Sequence, residues 1–196
     1  MKKVDLIIIG GGPAGYETAL LASKKGKQTI LIESKWLGGA CLNEGCIPTK
    51  SLCRSAEIKR LLENNAFLEE LGIECVNKGF DVSKAISRKN KVVASLGDGI
   101  KSMLKAAKVE IVYGNAFFKS SHVVEVESAN EEQYDTEYTA DNIFVATGAE
   151  TKFLPINGAH SDGVLTSREL LNLEIVPKDI CIIGGGVIGT EFASIY

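Results

Sequence analysis

VDLIIIGGGPAGYETA, residues 4–19, joins a run of branched apolar residues to three consecutive glycines and a proline-started helical segment. The apolar run at 6–9 has the length of a buried strand and stops at glycine, and residues 13–25 follow at helical spacing. A second strand at 29–32 ends at Glu33. Strand, turn, helix and strand in this order form the opening of a βαβ unit with a dinucleotide-binding fingerprint. Gly10 permits the tight turn, Gly12 lets the backbone approach a pyrophosphate, and Gly15 lets the helix pack close on the strand. Pro13 and Ala14 start the helix, whose N-terminus offers partial positive charge to phosphates. Glu33, at the end of the second strand, is the expected acceptor for ribose hydroxyls, with Ser34 beside it. The plainer reading is a glycine-rich turn that binds nothing.

The next stretch, GGACLNEGCIPTKS at 38–51, places Cys41 and Cys46 five positions apart where a glycine-rich loop runs into a proline-started helix. Two thiols at that separation can close a small disulfide ring. Pro48 near the first turn directs the helix's free N–H groups towards Cys46, and a helix N-terminus favours thiolate over thiol. The segment reads as a dithiol/disulfide redox centre. Zinc is the competitor, but the spacing is not CxxC, no second pair follows, and neither His122 nor His160 stands at ligand spacing, so no metal is expected. Two ordinary half-buried cysteines would be the plain reading of such a pair alone; the neighbouring motifs weigh against it.

Composition narrows the class. With 196 residues, 45% of them hydrophobic, the chain suffices for one large domain or one and a half. The longest apolar runs, 6–9 and 180–183, are strand-length, so no membrane span is expected. A formal charge of −3 argues against nucleic acid as a partner. Met-Lys-Lys followed directly by a strand leaves no room for a cleaved signal, and an odd count of five cysteines fits a reducing cytoplasm. Cys53, Cys75 and Cys181 are then expected as buried free thiols.

Further along, residues 48–71 carry helical spacing, and Asp81 and Ser83 can cap a second long helix to about 108, interrupted near Gly97 and Gly99. Strands are expected at 109–118, 122–127, 133–139 and 143–145, forming a small antiparallel sheet and then a buried strand. One internal repeat stands out: IIIGGGPAG at 7–15 returns as CIIGGGVIG at 181–189. It marks a second βαβ unit, opened by a strand at 180–183, and a second dinucleotide.

The string 38–50 resembles the active-site segment of the flavin-dependent pyridine nucleotide-disulfide oxidoreductases, and its CLNxGCIP wording is most similar to the dihydrolipoamide dehydrogenases of that family. Four motifs stand in the family's order: 4–19, the cysteine segment, NIFVATGA at 142–149 and ICIIGGGVIGTE at 180–191. The resemblance implies an α/β chain: a Rossmann-like FAD-binding domain at 1–149, with a parallel sheet plus a small antiparallel sheet and lacking its return segment, then the start of a Rossmann-like NAD-binding domain at 150–196, ending part-way along its helix.

It also implies residue roles. FAD would be held at the first turn by Gly10, Gly12, Pro13, Ala14, Gly15, Glu33 and Ser34. Gly39, Ala40, Cys41 and Lys50 of the cysteine segment would join them, with Gly114 and Ala116 near the adenine end and Thr147 and Gly148 at a strand end. NAD would meet Gly184, Gly186, Val187, Ile188 and Gly189. Cys46 would be the sulfur nearer the flavin and form the charge-transfer thiolate, Cys41 the sulfur that exchanges with substrate, and Lys50, paired with Glu191, would reach the flavin ring. The implied activity is NAD-dependent oxidation of dihydrolipoamide on a lipoyl-bearing acyltransferase of a 2-oxo acid dehydrogenase or glycine cleavage complex, by a homodimer in the full-length form. This chain alone is expected not to turn over, because neither histidine matches the family's base and half a second βαβ unit leaves the nicotinamide pocket without its ribose-binding strand. The alternatives are a disulfide oxidoreductase of the glutathione or mercuric reductase type, and a truncated FAD-binding fragment without turnover.

Overall fold

The computed structural model describes residues 1–76, 79–128 and 137–196, which fall into two compact units. The first comprises Met1–Asn43 and Ala94–Thr151, the second Glu44–Val93 and Lys152–Tyr196.

The first unit is built on β1 (Lys2–Ile9), α1 (Pro13–Lys24), β2 (Thr29–Glu33), β3 (Glu110–Ser120), β4 (Val123–Ser128) and β5 (Glu137–Val145). Strand β1 has parallel neighbours on both sides, Ile7 standing opposite Ile30 of β2 and Ile143 of β5. Strand β2 in turn pairs in parallel with β3. A central parallel strand is covered on both faces, which is why β1 and β2 read as continuous apolar runs rather than alternating ones. Ile7, Ile9, Ile30 and Ile32 face a core completed by Val112, Val124, Val126 and Tyr138. Ile8 and Leu31, on the opposite face, are equally buried. Strand β4 runs antiparallel to both β3 and β5 and closes the sheet into a barrel of order β1-β2-β3-β4-β5.

The parallel and antiparallel parts expected separately are therefore one mixed sheet sharing β3 and β5. Where two strands were expected at 133–139 and 143–145, β5 is a single strand, because pairing with β1 runs from Tyr138 to Val145. Residues 133–136 of the expected strand lie outside the described residues.

The second unit is helical. It holds α3 (Cys46–Glu63), α4 (Asn65–Glu70), α6 (Ser167–Leu170) and α7 (Val187–Ile195). The six-residue α2 (Gly39–Glu44) spans the boundary in sequence, and α5 (Val82–Ala106) begins in the second unit and ends in the first. The helix expected at 48–71 starts earlier, at Cys46, and is broken at Asn64, whose side-chain oxygen accepts from Phe67 N and so caps α4. Helix α5 runs without interruption through Gly97 and Gly99. Each glycine there costs about 1 kcal/mol relative to alanine, and burial of Ile86, Ile100 and Leu104 on the same helix outweighs it.

Leu52, Ala85, Leu171 and Phe192 form the core of this unit, flanked by Ile182, Ile195 and Tyr196. Residues 180–183, expected as a strand, form none. A strand exists by its ladder, and this apolar stretch pairs with no strand among the described residues. Of the expected buried thiols, all three are free, but Cys53 is half-buried and Cys75 and Cys181 are exposed. Cys181 falls in this unpaired stretch and Cys75 in the irregular run after α4. No helix is long and apolar enough to cross a membrane among the described residues.

Candidate functional site

The first glycine turn is shaped by close backbone approach. Gly10 has φ +106°, and a Cβ added there would lie 2.3 Å from the Ala146 carbonyl oxygen. One on Gly15 would lie 1.8 Å from the Gly10 carbonyl oxygen. Helix α1 starts at Gly12 with extended backbone, no side-chain cap and Pro13 in its first turn. Its first-turn N–H groups therefore point out of the helix end with no N-cap side chain to accept from them. Gly12 and Gly39 are near neighbours: a Cβ on Gly39 would meet Gly12 Cα at 2.7 Å. Gly38 N donates to Gly11 O at 2.8 Å and ties the loop to the turn.

Glu33 sits at this turn. One carboxylate oxygen accepts from Gly11 N at 2.6 Å and the other from Lys35 N at 2.7 Å. Each oxygen keeps a second lone pair, so the carboxylate holds the loop and can still accept from a hydroxyl. Burial, followed by the Glu33 charge, pushes the Tyr113 phenol up. Gly10, Gly12, Pro13, Ala14, Gly15, Glu33, Ser34, Gly39 and Thr147 thus belong to one region of the first unit, where the Ala146–Thr147 backbone abuts Gly10. Gly148 follows with φ +74°. Gly114 and Ala116 lie in β3, where they have packing work: a Cβ on Gly114 would lie 2.4 Å from Glu127 O, and Ala116 lies against the barrel core.

The second glycine turn repeats the first. Gly184 has φ +108°, and Gly186 starts α7 at φ −74°, ψ −179°, where Gly12 has −70° and −178°. A Cβ on Gly189 would lie 2.1 Å from Gly184 O, as Gly15 does towards Gly10. The difference is cover: among the described residues nothing lies within 4 Å of a Cβ added at Gly184 or Gly186, and Val187 and Ile188 are exposed.

Cys41 and Cys46 are both disulfide-bonded, while the other three cysteines are free. Cys46 is the first residue of α3, with Gly45 as N-cap, and it is exposed. Thr49, buried one turn on, fixes this start: its N and Oγ1 both donate to Gly45 O, at 3.1 and 2.6 Å. One turn along the helix, the Lys50 ammonium donates to the Glu191 carboxylate of α7. That bond holds the lysine above its usual range. Cys53, on the following turn, is pushed up by burial and then by Glu191, which leaves it mostly protonated and a poor nucleophile. Sequence reasoning missed two anchors in this unit. Arg168 is paired with Glu44, and Lys89 is buried against Leu171 and Asn172. No periodicity or spacing signals partners 124 and 83 residues apart.

Two glycine turns of matching conformation and a disulfide at a helix start define an α/β protein equipped for dinucleotides and thiol redox chemistry. The chain belongs to the pyridine nucleotide-disulphide oxidoreductase family, whose model matches residues 4–196. Among similar proteins, a dihydrolipoyl dehydrogenase of Chlorobaculum parvum is 42% identical over 194 residues, covering 98% of this chain and 40% of that protein. One of Bacillus subtilis is 39% identical over 195 residues, covering 98% of this chain and 41% of that protein. The copper(II) complex of the HOCl-induced flavoprotein disulfide reductase RclA from Escherichia coli superposes with a TM-score of 0.80 at 35% identity, over 100% of this chain and 40% of that one. The chain spans about two fifths of the length of the curated relatives it matches.

Proposed function

We propose that this chain is the N-terminal portion of a dihydrolipoamide dehydrogenase, with an FAD-binding domain at 1–149 and the start of an NAD-binding domain at 150–196. The observation that carries this reading is the disulfide of Cys41 and Cys46 at the start of α3, in a chain with two uncapped glycine turns. The first turn fits FAD: Gly10, Gly12 and Gly15 leave no Cβ in the cradle, the α1 N-terminus offers N–H groups to a pyrophosphate, and Glu33 keeps acceptor capacity for a ribose. The second turn, through Gly184, Gly186 and Gly189, offers the same features to NAD. FAD, when bound, supplies two-electron hydride chemistry that no side chain provides.

The chain's own residues handle the thiols. A dihydrolipoamide thiolate attacks Cys41, the disulfide breaks, and Cys46 leaves as thiolate at the α3 N-terminus. The second substrate thiol then attacks the mixed disulfide, closing the lipoamide ring and releasing Cys41. Lys50, held by Glu191, keeps a fixed positive charge one turn from Cys46. The lysine side chain is 63% exposed, so the pair contributes little to stability and a functional role accounts for it better. Its natural substrate would be the lipoyl group of an acyltransferase in a 2-oxo acid dehydrogenase or glycine cleavage complex, and the full-length enzyme a cytoplasmic homodimer.

The structural likeness to RclA favours one second reading, in which electrons run from a nicotinamide cofactor to a disulfide or other oxidant. Anaerobic titration with dihydrolipoamide separates the two. Stoichiometric appearance of two thiols, lost in Cys41→Ser, supports the first reading. No reduction by dihydrolipoamide, with reduction by a nicotinamide cofactor in the flavin-loaded protein, supports the second.

A further inference from the structure

Glu44 stands between the two half-cystines, two residues before Cys46, and Arg168 Nε donates to its carboxylate at 2.7 Å. Both side chains are partly buried, 19% exposed for Glu44 and 29% for Arg168. The thiol chemistry above does not use this pair. Glu44 ends α2, where a negative charge faces the negative end of the helix, and α2 has no basic residue in its last turn. A partly buried carboxylate at such a place needs a cation.

Arg168 is held to supply it. A capping box of Thr166 and Glu169 fixes α6, and Asn172 Nδ2 donates to Arg168 O at 3.1 Å. Lys89, 3% exposed, donates from its ammonium to Asn172 Oδ1 at 2.6 Å and to Leu171 O at 2.8 Å. All these residues belong to the second unit. Two residues of extended chain reach at most about 7 Å, which bounds the separation of the Glu44 and Cys46 Cα atoms. Side-chain length adds to this, so the carboxylate and the sulfur lie within roughly 14 Å, where at an effective dielectric of about 20–40 an uncompensated charge changes the stability of a thiolate by roughly three- to tenfold.

We propose that Arg168 is a positioning and charge-compensating residue for the cysteine pair: by neutralising Glu44 it keeps the reduced form, with Cys46 as thiolate, from being penalised. This rests on the reading of Cys41 and Cys46 as a redox pair, and on no property of a bound cofactor. The step concerned is balanced with dithiothreitol as reductant. The Cys41–Cys46 bond breaks and takes up two electrons and two protons, while dithiothreitol closes its own disulfide. The proton of Cys46 then passes to solvent in the thiolate fraction.

The test is equilibrium titration of the whole chain against dithiothreitol redox buffers at neutral pH. Reduced Cys41 and Cys46 are alkylated and counted by mass. Arg168→Gln leaves Glu44 uncompensated and should lower the equilibrium constant for reduction roughly three- to tenfold, a tenfold fall being about 30 mV. Glu44→Gln leaves Arg168 uncompensated and should raise it by a similar factor. The double variant should return to the parent value, and Arg168→Lys should stay near it. Loosening of the loop would move both single variants in one direction, so opposite signs are the signature of charge. Shifts of the same sign, no shift in Glu44→Gln, or a double variant that fails to recover would overturn the proposal. If Arg168→Gln does not fold, the near-isosteric Glu44→Gln and Arg168→Lys decide on the same scale. A disulfide that responds as stated but is inert to dihydrolipoamide sinks the functional reading and leaves this one standing. Reduction by dihydrolipoamide with unshifted variants does the reverse.

Discussion

Replacing Gly15 by alanine places a methyl carbon 1.8 Å from the Gly10 carbonyl oxygen and 2.9 Å from its carbon, where ordinary contact begins near 3.4 Å. Helix or turn must therefore move by about 1.6 Å. Neither has room. Gly10 is itself wedged against Ala146 O at φ +106°, and α1 is seated through Ala19, which is fully buried. Overpacking a close-packed site costs about 1–3 kcal/mol, and a clash with backbone rather than a side-chain tip belongs at the upper end. For a chain of this size about 3 kcal/mol lowers the melting temperature by roughly 6–12 °C. Gly12→Ala is the control. Among the described residues its Cβ meets Gly39 Cα alone, at 3.6 Å, and its φ of −70° suits any residue. It should cost no more than about 1 kcal/mol, from the poorer N-cap, yet empty the flavin site by standing where the pyrophosphate must approach. Thermal unfolding is followed by circular dichroism on protein stripped of flavin, so that ligand linkage does not enter. A Gly15→Ala protein melting within about 2 °C of the parent, or a Gly12→Ala protein destabilised as much as Gly15→Ala, would refute the packing argument.

Thiol titration of denatured protein should rise from three thiols to five on prior reduction, because Cys53, Cys75 and Cys181 are free and Cys41 and Cys46 are not; five from the start contradicts the disulfide. Lys89→Met strands Leu171 O and Asn172 Oδ1 and should cost about 1–3 kcal/mol by denaturant unfolding. Burial depresses the lysine, so the unfolded chain holds more protons just below the ordinary lysine value. Stability of the parent should therefore rise with pH across that window, a rise that Lys89→Met abolishes. The Thr166 hydrogen bond holds Glu169 below the ordinary carboxylate range. Its capping contribution is then complete above the unfolded value and lost as pH falls through the folded one, and Glu169→Gln should flatten that acid limb of the stability profile. Lys50→Met should leave thermal stability unchanged and alter the redox properties of the bound flavin; a destabilised variant with unaltered redox behaviour contradicts the functional assignment of the pair.

What could be read from the chain alone is what lies close together in it. The run from β1 through Gly10, Gly12 and Gly15 to Glu33 encodes its turn, its helix start and its carboxylate within one continuous stretch, and the structure repeats that geometry at Gly184 and Gly186. Closure of the barrel depends instead on β4 finding β3 and β5 together, and its alternating pattern records which face is buried but not which strand supplies the neighbour. The same limit explains the stretch 180–183, whose apolar run is strand-like in sequence yet pairs with no strand among the described residues. Glycine misled in the opposite direction. Gly97 and Gly99 read as a helix break, but intrinsic propensity there amounts to about 1 kcal/mol per residue, against burial on one face of a 25-residue helix. The charged anchors are the extreme case. In the sequence, Lys50 and Glu191 pair only through family resemblance, whereas Glu44 and Arg168 belong to no motif at all. A single carboxylate between two half-cystines looks like any solvated loop residue until the fold brings a guanidinium to it. Side chains that tune a redox centre act through charge at a distance, which places no demand on spacing along the chain.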